Sequence, residues 1–190
     1  YYRATTHLQL GYYSTEDLLD DMIINSDNVA LNVLMAQNQD EYTQVYKDFR
    51  LPPVPTGSLS DFMTARSYSV VFRTLYNSTY LPWKRSEDAL KLLSLSTFDK
   101  GLRVGVPSGI VISHKFGEHT NLDSNTNVIN RELHDCGIVY YPNHPYFLCI
   151  MTKGQDFLKL ETVISGISKI VYDYVDAQYT MASSSVAVFP

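Results

Sequence analysis

The chain lacks several features that would point to particular kinds of protein. No run of apolar residues reaches the roughly 18 to 20 needed to cross a bilayer, so no membrane span is predicted in this chain. The 15 Lys and Arg residues are outnumbered by 20 Asp and Glu residues, which gives a formal net charge of −5. Because phosphate binding needs a basic face, this balance excludes nucleic acid as a main partner.

Cysteine is scarce as well. Cys136 and Cys149 fit no zinc spacing, and the three histidines predicted in loops or at strand ends (His119, His134 and His144) do not indicate a metal site. Neither a metal nor any other cofactor is therefore predicted. If the segments around the cysteines pair as a hairpin, the two side chains can form a disulfide. The alternative, two small buried apolar residues, is favoured at this point.

What is present indicates one folded domain. Hydrophobic residues make up 45% and charged residues 18%, a globular rather than a disordered composition. The length of 190 residues fits a single domain, 1–190, with a sizeable core. Because the sequence opens at Tyr1 without an initiator Met, we expect it to start inside a longer protein, with the domain incomplete at its N-terminus.

The first half of the chain has helical patterns. Ser14 and Thr15 suit the start of one helix, Ser26 lies near the cap of the next, and Thr64 suits the start of a later one. The predicted helices cover residues 14–23, 27–35, 42–49, 64–75 and 86–97. A segment rich in Pro, Gly and Ser, residues 50–60, is the clearest predicted loop.

In the second half of the chain the spacing of apolar residues changes from a helical pattern to a strand pattern. Ile110-Val111-Ile112 predicts a short strand, and residues 137–141 and 146–151 flank the hairpin signal Pro142-Asn143-His144-Pro145. A final helix carries apolar residues three and four apart, which predicts one stripe lying on a sheet: Phe157, Leu160, Val163, Ile164, Ile167, Ile170, Val171 and Tyr174. The fold class is therefore α+β, and because three strands make a narrow sheet, further strands are expected upstream of residue 1.

Two short motifs carry candidate chemistry. The first is Ser26-Asp27-Asn28 between two predicted helices, and the second is His114-Lys115-Phe116-Gly117 directly after a predicted strand. Each has an ordinary structural explanation, since Ser-Asp-Asn is a good helix N-cap and a lysine before a turn is common. His114 alternates with Lys115 along the strand and is expected to point the other way.

Taken together and in this order, the motifs resemble the second and third motifs of the penicillin-recognising serine hydrolases, the family of class A β-lactamases and penicillin-binding proteins. The layout of helices, strands and hairpin from about Tyr13 to Val175 resembles that family too. The resemblance implies a β-lactamase/transpeptidase-like fold, in which an antiparallel sheet packs against a helical subdomain and a C-terminal helix. It also implies that the N-terminal strands and the helix bearing the nucleophile are absent from this chain.

The resemblance implies roles for individual residues in acyl transfer. The expected catalytic residues are Ser26, which relays a proton to the leaving nitrogen, and Lys115, whose charge favours an anionic substrate and a deprotonated relay. Asn28 is expected to bind the substrate amide, while Asp27 braces the turn. The remaining expected substrate-binding positions are Phe116, Gly117 and Glu118, the last through a backbone N–H that stabilises the oxyanion.

Three departures from the family pattern shape the functional prediction. No Ser-x-x-Lys, the nucleophile motif, occurs between Tyr1 and Asn25, so this chain alone cannot form the acyl-enzyme. Residues 51–61 contain no Glu for deacylation, and Asp61 is the only carboxylate there. Phe116 replaces the hydroxyl residue that usually follows the motif lysine and helps to bind the substrate carboxylate.

We therefore expect an extracytoplasmic serine hydrolase or acyltransferase that acts on peptidoglycan peptides or β-lactams, and of which this chain is the C-terminal portion. The missing Glu favours a peptidase or penicillin-binding type over an efficient β-lactamase. An alternative is a catalytically inactive module of the same fold that binds cell-wall peptide. A third possibility is that the N-terminal segment is a separate or cleaved chain that completes the fold as a partner.

Overall fold

Side-chain caps set the start of three helices. In the computed structural model, which describes residues 11–51 and 63–185, Ser14 and Asp17 form a capping box before helix α1, Thr15–Ile24. Asp27 caps α2, Asn28–Gln37, and Thr64 caps α4, Ala65–Tyr76, by accepting a hydrogen bond from Ser67 N. The predicted starts of these three helices are confirmed within a residue, because each follows a short polar side chain that satisfies otherwise unpaired N–H groups.

Two other helices begin earlier than predicted. Helix α3 is Gln39–Asp48, starting directly after Asn38, which ends α2 and donates its side-chain amide to Leu34 O. Helix α5 is Trp83–Ser94 rather than residues 86–97, with Pro82 at its N-cap. Proline fixes φ near the helical value and suits a helix start, which accounts for the earlier boundary.

The sheet contains three antiparallel strands in the order β1, β2, β3 within the described residues: Ile112–Leu122, Val128–Val139 and Tyr146–Gly154. The α+β class and the 142–145 hairpin are confirmed. The prediction that Lys115 follows a short strand is wrong, because Lys115 lies inside the eleven-residue β1. His119 and His134 likewise lie within strands. Polar residues on the first two strands hid their length from a search for apolar runs.

The two faces of the sheet pack against different layers. On one face, Leu133 and Ile150 form a core with Leu160 and Ile164 of the last helix, α6, Phe157–Ser185. A short 3-10 helix, Gly101–Gly105, packs against the same helix. On the other face, Cys136 and Ile138 form a second core with Phe72 of α4 and Leu93 of α5. The sheet therefore separates the α6 layer from the helical subdomain that contains α1, α2, α4 and α5.

The prediction of a single packed stripe on α6 is wrong for half of its members. Leu160 and Ile164 are buried, but four other members are exposed: Val163 47%, Ile167 39%, Ile170 70% and Tyr174 65%. Neighbouring positions such as 163 and 164 are about 100° apart around a helix, so the apolar arc is wider than the side that three strands cover. The exposed members form a continuous line, which we call the outer α6 stripe.

Cys136 and Cys149 form a disulfide. The expectation of two unbonded buried side chains is therefore wrong. The register explains the bond, because Cys136 in β2 lies directly opposite Cys149 in β3. Lys115 of β1 lies opposite Cys136 on its other side, so the lysine and the disulfide share one row across the sheet.

Some predictions concern residues that the structure does not describe. The predicted Pro-rich loop and the segment that lacks Glu lie almost entirely within residues 52–62, and Asp61 lies there as well. Among the helices that are described, none has the length and apolar character needed to cross a membrane.

Candidate functional site

The two sequence motifs meet in space. Lys115 Nζ, from the middle of β1, donates a hydrogen bond to Ser26 Oγ at 2.5 Å and a second one to the carbonyl of Phe116 at 3.0 Å. Ser26 lies in the turn between α1 and α2. Residues 89 positions apart in the chain are thus joined across the boundary between the helical subdomain and the sheet.

The turn that carries Ser26 is held at three points. Asp27 is buried, and its Oδ1 accepts hydrogen bonds from Val29 N at 2.7 Å and Ala30 N at 2.9 Å. Its own N–H donates to the carbonyl of Asp21 at 3.1 Å. Two residues before Ser26, the carbonyl of Ile24 accepts hydrogen bonds from the backbone N–H and the hydroxyl of Thr97. The expectation that Asp27 braces the turn is confirmed.

Ser26 itself has an unusual backbone conformation. Its φ is 56°, in the left-handed region that side chains other than glycine rarely adopt. The residue is not the cap of α2, since Asp27 occupies that position. A capping role therefore does not account for the serine, and its hydroxyl is instead directed to Lys115.

Burial changes the acid–base character of Lys115. Loss of hydration lowers the pKa of its ammonium to about 8, against the opposing effect of the Asp135 and Glu118 carboxylates. The ammonium also lies 4.6 Å from the centre of the Phe116 ring, within cation–π distance. Near neutral pH the lysine is mainly charged, but the fraction of neutral amine is far larger than in an ordinary lysine.

The other predicted site residues along β1 have different surroundings. The ring of Phe116 stacks on Phe98 with the centroids 4.1 Å apart, so it belongs to the core on the α6 side. Gly117 is exposed, and a Cβ at this position would meet nothing within 4 Å. Glu118 is half-buried, and burial, together with the charge of Glu161, raises the pKa of its carboxyl against the effects of Lys100 and Lys115.

A cavity of about 570 Å³ opens beside the Ser26–Lys115 contact. Four predicted site residues line it: Ser26, Asn28, Lys115 and Phe116. Gly117 and Glu118 do not. The rest of the wall is mostly apolar and comes from the helical subdomain, with Met22, Leu31, Tyr68, Phe72 and Leu93 among its members. The cavity thus places the amine of Lys115, the hydroxyl of Ser26 and the amide of Asn28 beside a mostly apolar wall, a pattern typical of ligand sites.

Sequence reasoning missed a buried pair directly behind the lysine. His114 points away from the cavity, as expected, and its Nδ1 hydrogen-bonds Asp135 Oδ1 at 2.8 Å. The other oxygen of Asp135 accepts a hydrogen bond from Leu102 N at 2.9 Å. Asp135 lies in no recognisable motif, so the only available signal was a charged residue in an otherwise apolar strand segment.

No metal site accompanies the cavity in the part of the chain that the structure describes, where no group of three or more His, Cys, Asp or Glu side chains could hold an ion. A serine hydroxyl in contact with a lysine of lowered pKa can exchange a proton, and the neighbouring amide can bind a carbonyl group.

Known proteins resemble this chain in sequence and in fold. The model of the β-lactamase enzyme family matches residues 3–175. No similar protein was found among curated sequences. Among solved structures, PBP-A is similar with a TM-score of 0.73 and 19% identity, covering 90% of this chain and 64% of that one.

Two further structures have the same fold. A mutant of PBP-A in its acyl-enzyme complex with penicillin G matches with a TM-score of 0.71 and 17% identity, over 90% of this chain and 65% of that one. A β-lactamase from Chitinophaga pinensis matches with a TM-score of 0.72 and 17% identity, over 85% of this chain and 64% of that one. The chain spans slightly less than two thirds of the length of each.

Proposed function

Because the chain belongs to the β-lactamase enzyme family, we propose that it forms the C-terminal portion of a serine hydrolase or acyltransferase that acts through an acyl-enzyme. The contact between Ser26 Oγ and Lys115 Nζ, 2.5 Å long, is the observation that carries this proposal. In this proposal the nucleophilic serine belongs to a segment that this chain does not contain. The chain supplies the groups that move protons and bind substrate.

The proposed mechanism uses Ser26 as a proton relay. When the nucleophile attacks the amide carbonyl, its proton must finally reach the departing nitrogen. Ser26 hands its own proton to that nitrogen and is reprotonated from the nucleophile side. The positive charge on Lys115 favours the relay in its deprotonated form during transfer, and Asn28 holds the substrate amide in the same cavity. We assign the oxyanion donor to the backbone N–H of Glu118.

Cell-wall peptides or β-lactams are the proposed substrates. A cation in a cleft attracts an anionic substrate, and both compound classes carry a carboxylate. The absence of Glu at residues 51–61 favours slow deacylation, hence a peptidase or penicillin-binding type. Phe116 weakens carboxylate binding in this scheme, because its ring stacks on Phe98 and offers no hydroxyl.

Two surface features support a single domain, 1–190, completed by a preceding segment. Strand β3 is an edge of the sheet within the described residues. The outer α6 stripe is exposed on the helix that packs on the sheet. A strand and a helix packed there would cover both. We propose that this segment also brings the nucleophile to the apolar cavity, either as part of the same polypeptide or as a separate piece.

An extracytoplasmic location is part of the proposal. The Cys136–Cys149 disulfide supports it, because disulfides persist in oxidising compartments and are rare in the cytosol. The family resemblance favours the same location.

Intact-mass spectrometry before and after incubation with penicillin G tests the proposed chemistry. The material is the natural polypeptide that carries this chain, together with any segment that co-purifies. The expected result is a gain of one penicillin G mass, which peptide mapping then locates on a serine outside residues 1–190. Folded protein that gains no mass at saturating penicillin would contradict the acyl-transfer proposal and favour the cell-wall peptide-binding module. Calorimetry with a stem peptide would then measure that binding directly.

A further inference from the structure

Asp135 is a fully buried carboxylate that the proposed mechanism does not use. One of its oxygens accepts a hydrogen bond from Leu102 N at 2.9 Å, and the other lies 2.8 Å from His114 Nδ1. The backbone is packed closely around this pair. A Cβ at Gly101 would lie 2.6 Å from Asp135 Oδ2, and one at Gly137 would lie 2.5 Å from His114 Cβ. A carboxylate enclosed in this way has a fixed position, and solvent screens its charge little.

The register of the sheet brings this carboxylate close to Lys115. In the neighbouring strands β1 and β2, Lys115 is paired with Cys136, and Phe116 is paired with Asp135. Successive side chains point to opposite faces of a sheet. The ammonium of Lys115 therefore lies on the cavity face, and the carboxylate of Asp135 lies on the α6 face. The two charges face each other through the backbone of the sheet rather than across solvent.

Lys115 needs a negative charge nearby if it is to remain an ammonium. Burial lowers its pKa to about 8, and the carboxylates of Asp135 and Glu118 oppose this effect. The two hydrogen-bond acceptors described for its Nζ, Ser26 Oγ and the Phe116 carbonyl, are neutral groups. The charge that stabilises the ammonium therefore comes from carboxylates beyond direct contact.

Of the two carboxylates, Asp135 is the better placed to act on Lys115. Glu118 is half-buried, and burial and the charge of Glu161 raise the pKa of its own carboxyl. The cation Lys100 lies near Glu118 as well, so the charge of Glu118 is shared. Asp135 is fully buried, and its two oxygens are held by the Leu102 and His114 contacts described above. Its influence on the pKa of Lys115 is also the larger of the two.

We propose that Asp135 is a positioning residue for acyl transfer, whose charge acts through the sheet to hold Lys115 as the ammonium that the Ser26 relay requires. The acyl-transfer role rests on the proposed function, and it makes the reaction depend on a residue outside the cavity. His114 fixes the carboxylate in this scheme, and neither His114 nor Asp135 touches the substrate.

Two variants separate the charge of Asp135 from its hydrogen bonds. In His114→Gln, the side-chain amide donates to the carboxylate and Asp135 keeps its charge. In the double variant His114→Gln with Asp135→Asn, the asparagine oxygen accepts the Leu102 N–H and the asparagine NH₂ donates to the glutamine oxygen. The single and double variants therefore differ by one charge and keep both hydrogen bonds. Groups that a preceding segment adds near Lys115 are the same in both variants, so their effects cancel.

The pKa of Lys115 is measured by NMR. The natural polypeptide is produced with ¹³C-labelled lysine, and the Lys115 signal is identified by its loss in Lys115→Arg. We expect the pKa of Lys115 to be about one unit lower in the double variant than in His114→Gln, because a neighbouring negative charge has been removed. Asp88→Asn, at an exposed carboxylate paired with Lys84, is the control and should leave the Lys115 pKa at its wild-type value.

The titration near pH 8 can be assigned to the amine within the described part of the chain. The titratable groups that face Lys115 are Asp27, Tyr42, Tyr68, Glu118 and Asp135, and His134 lies one row further along the sheet. Carboxyl groups and imidazoles ordinarily titrate below this range and phenols above it. Equal Lys115 pKa values in the single and double variants, both shown to be folded by circular dichroism, would overturn the proposal.

The rate of penicillin acylation gives a second measurement. The two variants should react at nearly equal rates near pH 6, where Lys115 is charged in both. Well above pH 8 the double variant should be about tenfold slower, since its lysine loses the proton about one unit earlier. A structural defect alone would slow the reaction at every pH. A ratio of the two rates that does not change with pH would therefore exclude the positioning role.

The NMR titration also keeps this proposal distinct from the proposed function. A penicillin adduct together with equal Lys115 pKa values in the two variants overturns the role of Asp135 and leaves the proposed function intact. A lower pKa in the double variant, without any penicillin adduct on the wild type, overturns the proposed function and with it the acyl-transfer role of Asp135. Only the adduct, the lower pKa and the pH-dependent rate ratio together support both.

Discussion

His114 Nδ1 and Asp135 Oδ1 lie 2.8 Å apart with both side chains buried. Asp135 also accepts the Leu102 N–H, and it lies one residue from Cys136, the partner of Lys115 across the strands. This buried carboxylate therefore fixes the geometry of β1, β2 and the 3-10 helix on the side of the sheet that faces away from the cavity.

Replacing this carboxylate should destabilise the fold. In Asp135→Asn an amide NH₂ replaces one of the two acceptor oxygens, so either the Leu102 N–H loses its acceptor or His114 must change its tautomer, at a cost of about 1–3 kcal/mol. Urea unfolding measures the loss. Asp88→Asn, at an exposed carboxylate paired with Lys84, is the control and should change stability little. Equal effects of the two substitutions would contradict the structural role given to Asp135.

Alanine substitutions at two glycines should change the stability of the fold in opposite directions. A Cβ at Gly137 would lie 2.5 Å from the Cβ of His114 and 2.6 Å from the carbonyl of Ser113, so Gly137→Ala should destabilise the sheet beside Lys115. A Cβ at Gly166 in α6 meets nothing within 4 Å, so Gly166→Ala should stabilise the chain by about 0.5–1 kcal/mol through helix propensity. Thermal unfolding of both variants checks the signs.

Removing the disulfide should lower stability without exposing a new polar group. For Cys136→Ala with Cys149→Ala, constraint of a loop of this size predicts a loss of about 3 kcal/mol. Urea unfolding with and without reductant measures it. Reductant should lower the stability of the wild type toward that of the double variant and leave the double variant unchanged. A wild type insensitive to reductant after unfolding and refolding would contradict the bond.

Lys115 should be essential for acyl transfer. Lys115→Ala should reduce penicillin acylation about 10²–10⁴-fold, measured by the rate of adduct formation. Lys91→Ala, at an exposed lysine of α5, is the matched control and should leave the rate unchanged. An equal loss from both substitutions would undermine the assignment of the site.

The same lysine should give a pH-dependent term in stability. Folding lowers its pKa from 10.5 to about 8, so the unfolded chain holds more protons between these values and stability should rise as pH increases from about 8 to about 10.5. Lys115→Met removes this term. The unfolding free energy of the wild type should therefore rise relative to that of the variant over that pH range, and a constant difference between them would contradict the lowered pKa.

Substitutions at Ser26 and Asp27 should affect different properties, catalysis in the first case and stability in the second. Asp27→Ala removes the cap of α2 and should cost about 0.5–2 kcal/mol. Ser26→Gly keeps a residue suited to φ 56° and should retain the fold while losing the proton relay. Unfolding curves and penicillin acylation rates, measured on both variants, distinguish the two roles. Full acylation by folded Ser26→Gly would exclude the relay.

Local chemistry made much of the fold predictable. Ser14, Asp27 and Thr64 are short polar residues before apolar repeats, and each starts a helix. The proline-rich turn at 142–145 likewise determined a hairpin. The resemblance of the two motifs to a known family implied that Ser26 and Lys115 share one cleft, although nothing in either motif specifies a contact between them.

Features that depend on contacts across the chain could not be predicted in the same way. The length of β1 is hidden because Lys115, Gly117 and His119 alternate with side chains on the other face and interrupt any apolar run. Asp135 acquires its role only from His114 and Leu102, which are distant in sequence. The outer α6 stripe was predicted to lie in the core because the spacing of apolar residues does not reveal how much of the helix surface the sheet covers.

The burial of Cys136 constrains how its disulfide with Cys149 can form. Its side chain is only 2% exposed and is packed among Phe72, Leu93 and Ile138. The partner thiol Cys149 is only partly buried, so in a folded but reduced chain an oxidant would meet Cys149 first and Cys136 would resolve the mixed disulfide from inside the core. The register that sets Cys136 opposite Cys149 thus makes one partly exposed sulfur the point of access to a bond whose other half is shielded from solvent.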